Sequence, residues 1–465
     1  MNKNSHTDTS YPDEFLENYS NTKQVFLSFA AKISPINFNL LLDHFTKATN
    51  DVYYFNQPDK NIQFLSFDEL TVQTFNASEF NKITSELKVL NSKLISNHDE
   101  FPEIEFPVFL TCSKFPLNRK SDEWSNFGEI DFLIPKLSIF QSSDNFFLLY
   151  NTLTESFSSY ENLNEILERH IAHIYQLESR LTELKFQKSS ISLLEKSDTE
   201  KKWAKKITEI INEIRQNKLD KVVLSQRLKF EIKSEINWQF IFRELDENYP
   251  NCTNYLLKSG KSIFFGSTPE LLARFSGNNF STEALAGSIS RGKDLTEDIE
   301  FENKLLKSKK NIFEHNAVTQ HIKSSIQKFV DDLEINDNPV VKKFSNIQHL
   351  QTILRGKLKA ESNIFDIILS LFPTPAVCGM PKLKALEIIN ELEDFDRGLF
   401  TGLIGWFNCK GYGEFNVTLR CGLINKDNLY VFAGCGIVEN SDPMEEYEEI
   451  NLKLKPILSL FENAN

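Results

Sequence analysis

The sequence predicts a chain of mixed helices and strands, α/β in content, closed around a large aromatic core. Three observations carry this expectation. With 465 residues the chain can bury a large core; length alone suggests two or three domains, although an α/β enzyme can fill it as one unit. Phe 40 against Met 3 means the core is built from large, rigid side chains. The hydrophobic pattern alternates between short apolar runs bounded by polar turns and longer stretches at helical spacing.

Taken in order, residues 1–20 ("MNKNSHTDTSYPDEFLENYS") are polar, lack the apolar core of a signal peptide and are expected to be disordered. From Val25 to Tyr150, Phe-rich runs such as "VFLSFA", "FPVFLT" and "FFLLY" read as mixed strands and helices. Leu163, Leu167, Ile174, Leu177, Leu181 and Leu184, with His170 on the same seam, fall at four-three spacing and predict one amphipathic helix over 163–184. His170 and His173 read as a seam or surface pair rather than a metal site. The polar stretch 185–203 is the best candidate for a linker, dividing an N-terminal part (21–195) from a C-terminal region (196–465), the two forming one compact domain. A helix is expected over Trp203–Ile214. In "DKVVLSQRLKF", Val222, Leu224, Leu228 and Phe230 share one strand face and Lys221, Val223, Ser225 and Arg227 the other. In "GEFNVTLRCGLI", Phe415, Val417, Leu419, Cys421 and Leu423 alternate with polar residues and read as one strand, with Arg420 on its polar side.

A net charge of −13 argues against nucleic acid or an anionic membrane as the main partner. A small anionic substrate would need locally placed cations. No run of about 18 apolar residues predicts a membrane-spanning helix. The six cysteines form no CxxC pair and read as reduced, buried thiols of a cytosolic protein.

Three constellations could carry chemistry. "NIFEHNAVTQHI" places Glu314 on one helix, and "SDPMEEYEEINLKLK" places Glu446 and Glu449 three apart on another. Carboxylates converging from two helices suit Mg²⁺, which takes oxygen ligands; acids in a first helical turn also simply complement the helix dipole. "FAGCGIVENSDP" is glycine-rich and could admit an anion to backbone N–H groups, or only join a strand tightly to a helix. Lys221, Arg420 and Lys453 are cations in apolar or acidic surroundings that could hold a substrate with several carboxylates. One further acid stands out. In "FFGSTPELLARF" Glu270 sits at a strand start among apolar residues, with Arg274 as its one obvious neighbour of opposite charge. No GxSxG elbow, Cys–His nucleophile or zinc-ligand spacing occurs.

Taken in order, "DKVVLSQR", "FFGSTPELL", "TEALAGSISRG", "EHNAVTQHI", "IQHLQT", "FPTPAVCGMPK", "RGLFTGLIGW", "VTLRCGLI" and "AGCGIVENSDPMEEYEEINLK" resemble the chorismate-utilising family, which includes isochorismate and salicylate synthases and the large subunits of anthranilate and aminodeoxychorismate synthases. The motifs span roughly 215–455, in the family's order. The resemblance implies an α+β fold like that of anthranilate synthase component I, a large antiparallel sheet core with outer helices. It implies Lys221 as general base and Glu270 as general acid. It also implies Mg²⁺ held by Glu314 and Glu449, with Glu446 acting through water. Arg420 would hold the pyruvyl carboxylate of chorismate, while Gly287, Ser288, Ala376, Gly434, Lys453 and the pocket histidine His349 would line the substrate. A lysine base must be neutral near pH 7, and a glutamic acid donor needs its pKa raised, as an apolar setting does.

Lys221, where the ammonia-using branch carries glutamine, and Ala286, where the aminodeoxychorismate enzymes carry a lysine, point to an isochorismate synthase, an isomerase of the hydroxymutase type. The expected setting is cytoplasmic, in menaquinone or siderophore biosynthesis, as a monomer without a glutaminase subunit. Salicylate synthase and a non-catalytic chorismate binder are the alternatives. Phe372, Cys378 and Asn311 depart from the family's pattern.

Overall fold

The computed structural model describes residues 25–463 except 77–78, 118, 155–159, 186 and 345–346; the segment 1–20 expected to be disordered lies outside the described residues. Among the described residues, twenty-two strands join one continuous network of ladders. All the pairings are antiparallel except Val25–Ile33 with Leu94–Ser96 and Ser189–Lys196 with Phe461–Asn463. The network forks at the long strand Ile130–Ser142, which pairs with Ile62–Phe75, Asn145–Thr154 and Phe109–Ser113.

One arm runs through Asp51–Gln57, Thr253–Ser259, Ser262–Thr268, Cys421–Asn425 and Asn428–Ile437 to Lys221–Ile232. The other runs through Leu403–Phe407, Gly413–Val417, Leu271–Ser276 and Asn279–Ser290 to Ile347–Leu358. The arms face each other: Tyr53 from the first donates its hydroxyl to Gly405 O of the second at 3.0 Å. Phenylalanines pack in stacked and edge contacts through the core, among them Phe109 on Phe407 at 5.1 Å and Phe365 on Phe407 at 5.3 Å. Such pairs add about 0.5–1.5 kcal/mol each beyond their buried area, which is what a core rich in Phe and poor in Met gains.

Four expectations are corrected. The helix predicted over 163–184 is Tyr160–Glu178. Leu163, Leu167 and Ile174 are buried, but Leu184 is 43% exposed. The chain must turn there to reach the sheet, so the seam outlasts the helix. The expected linker 185–203 contains the strand Ser189–Lys196, laid against Lys221–Ile232, and the start of the helix Glu200–Arg215. It buries only Ser189 and Ile191, which hides it from any alternation. The single strand read in 413–423 is two strands, Gly413–Val417 and Cys421–Asn425, in different arms. The break is at Arg420, whose φ is +46°. Arg274, the expected neighbour of Glu270, pairs instead with Glu105 and Glu414. His170 stacks on Tyr150, as a seam residue would.

The chain thus crosses between arms twice at one place, through Pro269–Glu270 and through Thr418–Arg420. The crossings are stitched together by Val417 N–H to Glu270 O at 3.0 Å and Ser267 N–H to Arg420 O at 3.1 Å. Another backbone constraint is at Gly398, whose φ is +52° and whose added Cβ would lie 2.1 Å from the buried Trp124 ring. Gly398→Ala is therefore expected to cost about 2–4 kcal/mol, from left-handed strain plus overpacking, read as a lower urea midpoint with a shifted tryptophan emission.

Candidate active site

Lys221 is the first residue of its strand, paired across to Met380. Its side chain runs over Gly436, where an added Cβ would lie 2.6 Å from Cε and 3.2 Å from Nζ. Nζ ends 3.7 Å from Glu314 Oε1 on the helix Lys309–Ile326. Glu270 stands in the two-residue link between Ser262–Thr268 and Leu271–Ser276. Its Oε1 accepts a bond from Thr374 Oγ1 at 3.3 Å. Burial pushes its carboxyl up to about 7, with the Glu283 carboxylate adding to the effect and the Thr374 bond, Lys221 and Lys453 opposing it.

The third side of the site is the helix Pro443–Leu458, capped by Asp442, whose carboxylate accepts from Met444 N and Glu445 N at 2.9 and 3.1 Å. From it Lys453 Nζ reaches Gly434 O at 3.0 Å and Glu449 Oε1 at 2.6 Å. On the fourth side, Ser288 faces His349 across the ladder, with Ser288 Oγ and His349 Nδ1 2.8 Å apart. A bulge at Gly287, φ +72°, aims this pair and lays the glycine against Asn311. Burial, then the nearby Arg420 and Lys453 charges, lower the His349 imidazole to about 4, so it is neutral at neutral pH. Arg420 is half-buried, with Nη1 3.9 Å from Cys252 Sγ. Ala376 lies on the turn that carries Thr374, where Val377 N–H and Cys378 N–H both bond Thr374 O.

The structure therefore brings Lys221, Glu270, Glu314, Lys453, Glu449 and Gly434 into one cluster, with Gly287, Ser288, His349 and Arg420 beside it. Sequence reasoning passed over Thr374, a lone threonine between two prolines. It also passed over Glu283, held by Lys342 at 2.7 and 3.1 Å. Neither has a pattern of its own. Of the departures, Asn311 Nδ2 donates to Ser308 Oγ at 2.9 Å at its helix start, and Cys378 is buried.

Glu314, Glu446 and Glu449 offer oxygen donors only, the set a hard divalent cation takes. Burial holds the Glu446 carboxyl above its usual range, and the Glu449 charge adds to it, a repulsion that a cation would relieve. As arranged, Glu314 is drawn to Lys221 and Glu449 to Lys453, and among the described residues no three His, Cys, Asp or Glu groups converge on one point. Their side chains are 39% and 49% exposed, free to rotate away from those lysines.

Comparison with known proteins places the chain in a family. The chain is 32% identical over 344 residues to the isochorismate synthase MenF of Bacillus subtilis, covering 74% of this chain and 72% of that protein. It is 36% identical over 244 residues to the isochorismate synthase EntC of Escherichia coli, covering 52% of this chain and 62% of that one. The solved structure of the menaquinone-specific isochorismate synthase MenF from Escherichia coli matches with a TM-score of 0.76 at 21% identity, over 97% of this chain and 98% of that one. Anthranilate synthase component I from Streptococcus pneumoniae matches with a TM-score of 0.70 at 18% identity, over 85% and 91%. The fold is thus the α+β fold of these enzymes. No helix among the described residues is long and apolar enough to cross a membrane. The family model described as chorismate binding enzyme matches residues 14–462, and the chain belongs to that family.

Proposed function

We propose that the protein is an isochorismate synthase, an isomerase that converts chorismate to isochorismate in menaquinone or siderophore biosynthesis. The observation that carries this reading is the presence of a lysine amine, Lys221, and a carboxyl that burial holds protonated to about pH 7, Glu270, within one cluster of side chains. Lys221 takes a proton from water, and the water oxygen bonds to C2 of the ring. The ring double bond shifts, the C4–O bond breaks, and Glu270 protonates the departing hydroxyl. One water enters and one leaves, so the reaction is a net isomerisation, and both side chains recover their starting protonation from solvent.

Arg420 holds the pyruvyl carboxylate, and Lys453 supplies a second cation beside Gly434. Ser288 and the neutral His349 offer hydrogen bonds where Gly287 and Ala376 leave room. Glu314 and Glu449, with Glu446 through water, would hold Mg²⁺, which supplies positive charge for the ring carboxylate. The protein works as a monomer, in the cytoplasm, without a glutaminase subunit.

Purified protein incubated with chorismate and Mg²⁺ is expected to yield isochorismate as sole product by chromatography, and to lose turnover in EDTA. Salicylate with pyruvate would instead assign a lyase activity, and absence of turnover would overturn the reading. Glu449→Gln is expected to raise the Mg²⁺ concentration for half-maximal turnover by about 10–100-fold, measured by Mg²⁺ titration of the rate.

A further inference from the structure

We propose that Arg397 is the positioning residue of this site: its one guanidinium ties the strand carrying Lys221 to the turn carrying the hydrogen-bond donor of Glu270. The inference rests on the acid–base reading above. Arg397 and its partner Glu393 have wholly buried side chains. Arg397 Nε donates to Glu393 Oε2 at 2.8 Å and Nη2 to Oε1 at 2.6 Å. The remaining capacity goes mostly to backbone: Nη2 to Val223 O at 2.7 Å and Nη1 to Val377 O at 2.9 Å, with Thr401 Oγ1 at 3.3 Å from Nη1. Glu393 Oε1 in turn accepts from Ser225 N–H at 2.8 Å. The guanidinium lies over the Phe115 ring, 4.5 Å from its centroid.

Both carbonyls lie close to the chemistry. Val223 is two residues beyond Lys221, and its N–H bonds Cys378 O at 2.8 Å. Val377 N–H bonds Thr374 O at 3.1 Å, and Thr374 Oγ1 is the donor to Glu270. The contacts run unbroken from the base strand through Arg397, Val377 and Thr374 to the acid. Stability is a poor explanation for this pair, because a buried ion pair is often no better than an apolar pair of the same size. Its geometry is another matter. Only a planar fork reaches two carboxylate oxygens and two carbonyls at once, and a lysine ammonium cannot.

The test is Arg397→Lys, which keeps Glu393 paired with a cation. Three quantities are compared with wild type: the thermal midpoint, kcat and KM for chorismate with Mg²⁺, and the titration of Glu270. The last is followed by carboxyl-¹³C NMR, with the signal assigned by its loss in Glu270→Gln. The variant is expected to fold, to lose about 10–100-fold in kcat, as a misplacement near 1 Å would, and to keep KM within about threefold, since the substrate's cations are untouched.

The Glu270 midpoint is expected to rise above its wild-type value, because the Thr374 hydroxyl favours the ionised carboxylate. The other charged groups facing Glu270, namely Glu283, Lys221 and Lys453, are unaltered by the substitution. An unchanged kcat and an unchanged midpoint would overturn the proposal. Should Arg397→Lys not fold, the neutral double variant Glu393→Leu/Arg397→Met, which buries no charge, is read by the same measurements with the same criteria. A wild-type protein that titrates but does not turn over chorismate would overturn the assigned reaction alone, while the midpoint shift would still decide the role of Arg397.

Discussion

Glu270→Gln is expected to lower kcat by about 10²–10⁴-fold, the range for removing a general acid, and to make the protein more stable in alkaline solution. Both effects have one cause. Burial, reinforced by Glu283, raises the folded-state carboxyl from 4.5 to about 7. As pH climbs through the interval between those values, the unfolded chain releases its proton before the folded chain does, so the wild type loses stability across it. The loss is on the order of 3 kcal/mol at most and is complete just above pH 7. Below about pH 4.5 both states hold the proton and nothing is lost. Glutamine keeps the shape, still accepts the Thr374 bond and carries no titrating proton. Its thermal midpoint, scanned at pH 3.5 and pH 8, should therefore match the wild type at the lower pH and exceed it by a few degrees at the higher. The wild-type rate should fall as pH passes above 7, where the acid is spent as carboxylate. A glutamine variant within tenfold of the wild-type rate, or without the alkaline gain, would mean that Glu270 is not the acid.

The sequence showed the site's side chains more clearly than the fold that gathers them. Lys221, Glu314, Glu449 and Lys453 stand in motifs whose order along the chain could be read, and the structure brings them within ion-pair distance, Lys221 to Glu314 and Lys453 to Glu449. What alternation could not reveal is the pair of crossings that puts them there. Phe415, Val417, Cys421 and Leu423 keep one apolar rhythm in the sequence across the break at Arg420, although the two strands lie in different arms and are buried on both faces. The strand Ser189–Lys196 was hidden for the opposite reason: it buries too little to show a rhythm at all. The Glu393–Arg397 pair was invisible because its function is carried by backbone carbonyls of Val223 and Val377, to which sequence gives no sign.

Gly436→Ala separates fold from chemistry at the base. The added Cβ would fall 2.6 Å from Lys221 Cε and 3.2 Å from Nζ, and the next nearest atom beyond the adjoining residues is Lys221 Cδ, at 3.9 Å. The obstacle is thus the far end of one flexible side chain. Rotating that end aside costs about 1 kcal/mol, so the thermal midpoint should stay within a few degrees of the wild type. The amine, however, must then leave the place it occupies beside Glu314, and a displacement near 1 Å at a reacting group costs about 10²-fold in rate. Gly434→Ala offers the contrast. There the new atom would meet Ser225 Oγ at 2.7 Å and Leu224 O at 3.2 Å. It meets a buried serine and the backbone of the neighbouring strand rather than one long flexible side chain, so stability should fall together with activity. Comparison of kcat and thermal midpoint in the two variants checks the argument. Full activity in Gly436→Ala would show that the lysine reaches its water from another rotamer, and a melted Gly436→Ala would show that this glycine supports the strand rather than the base.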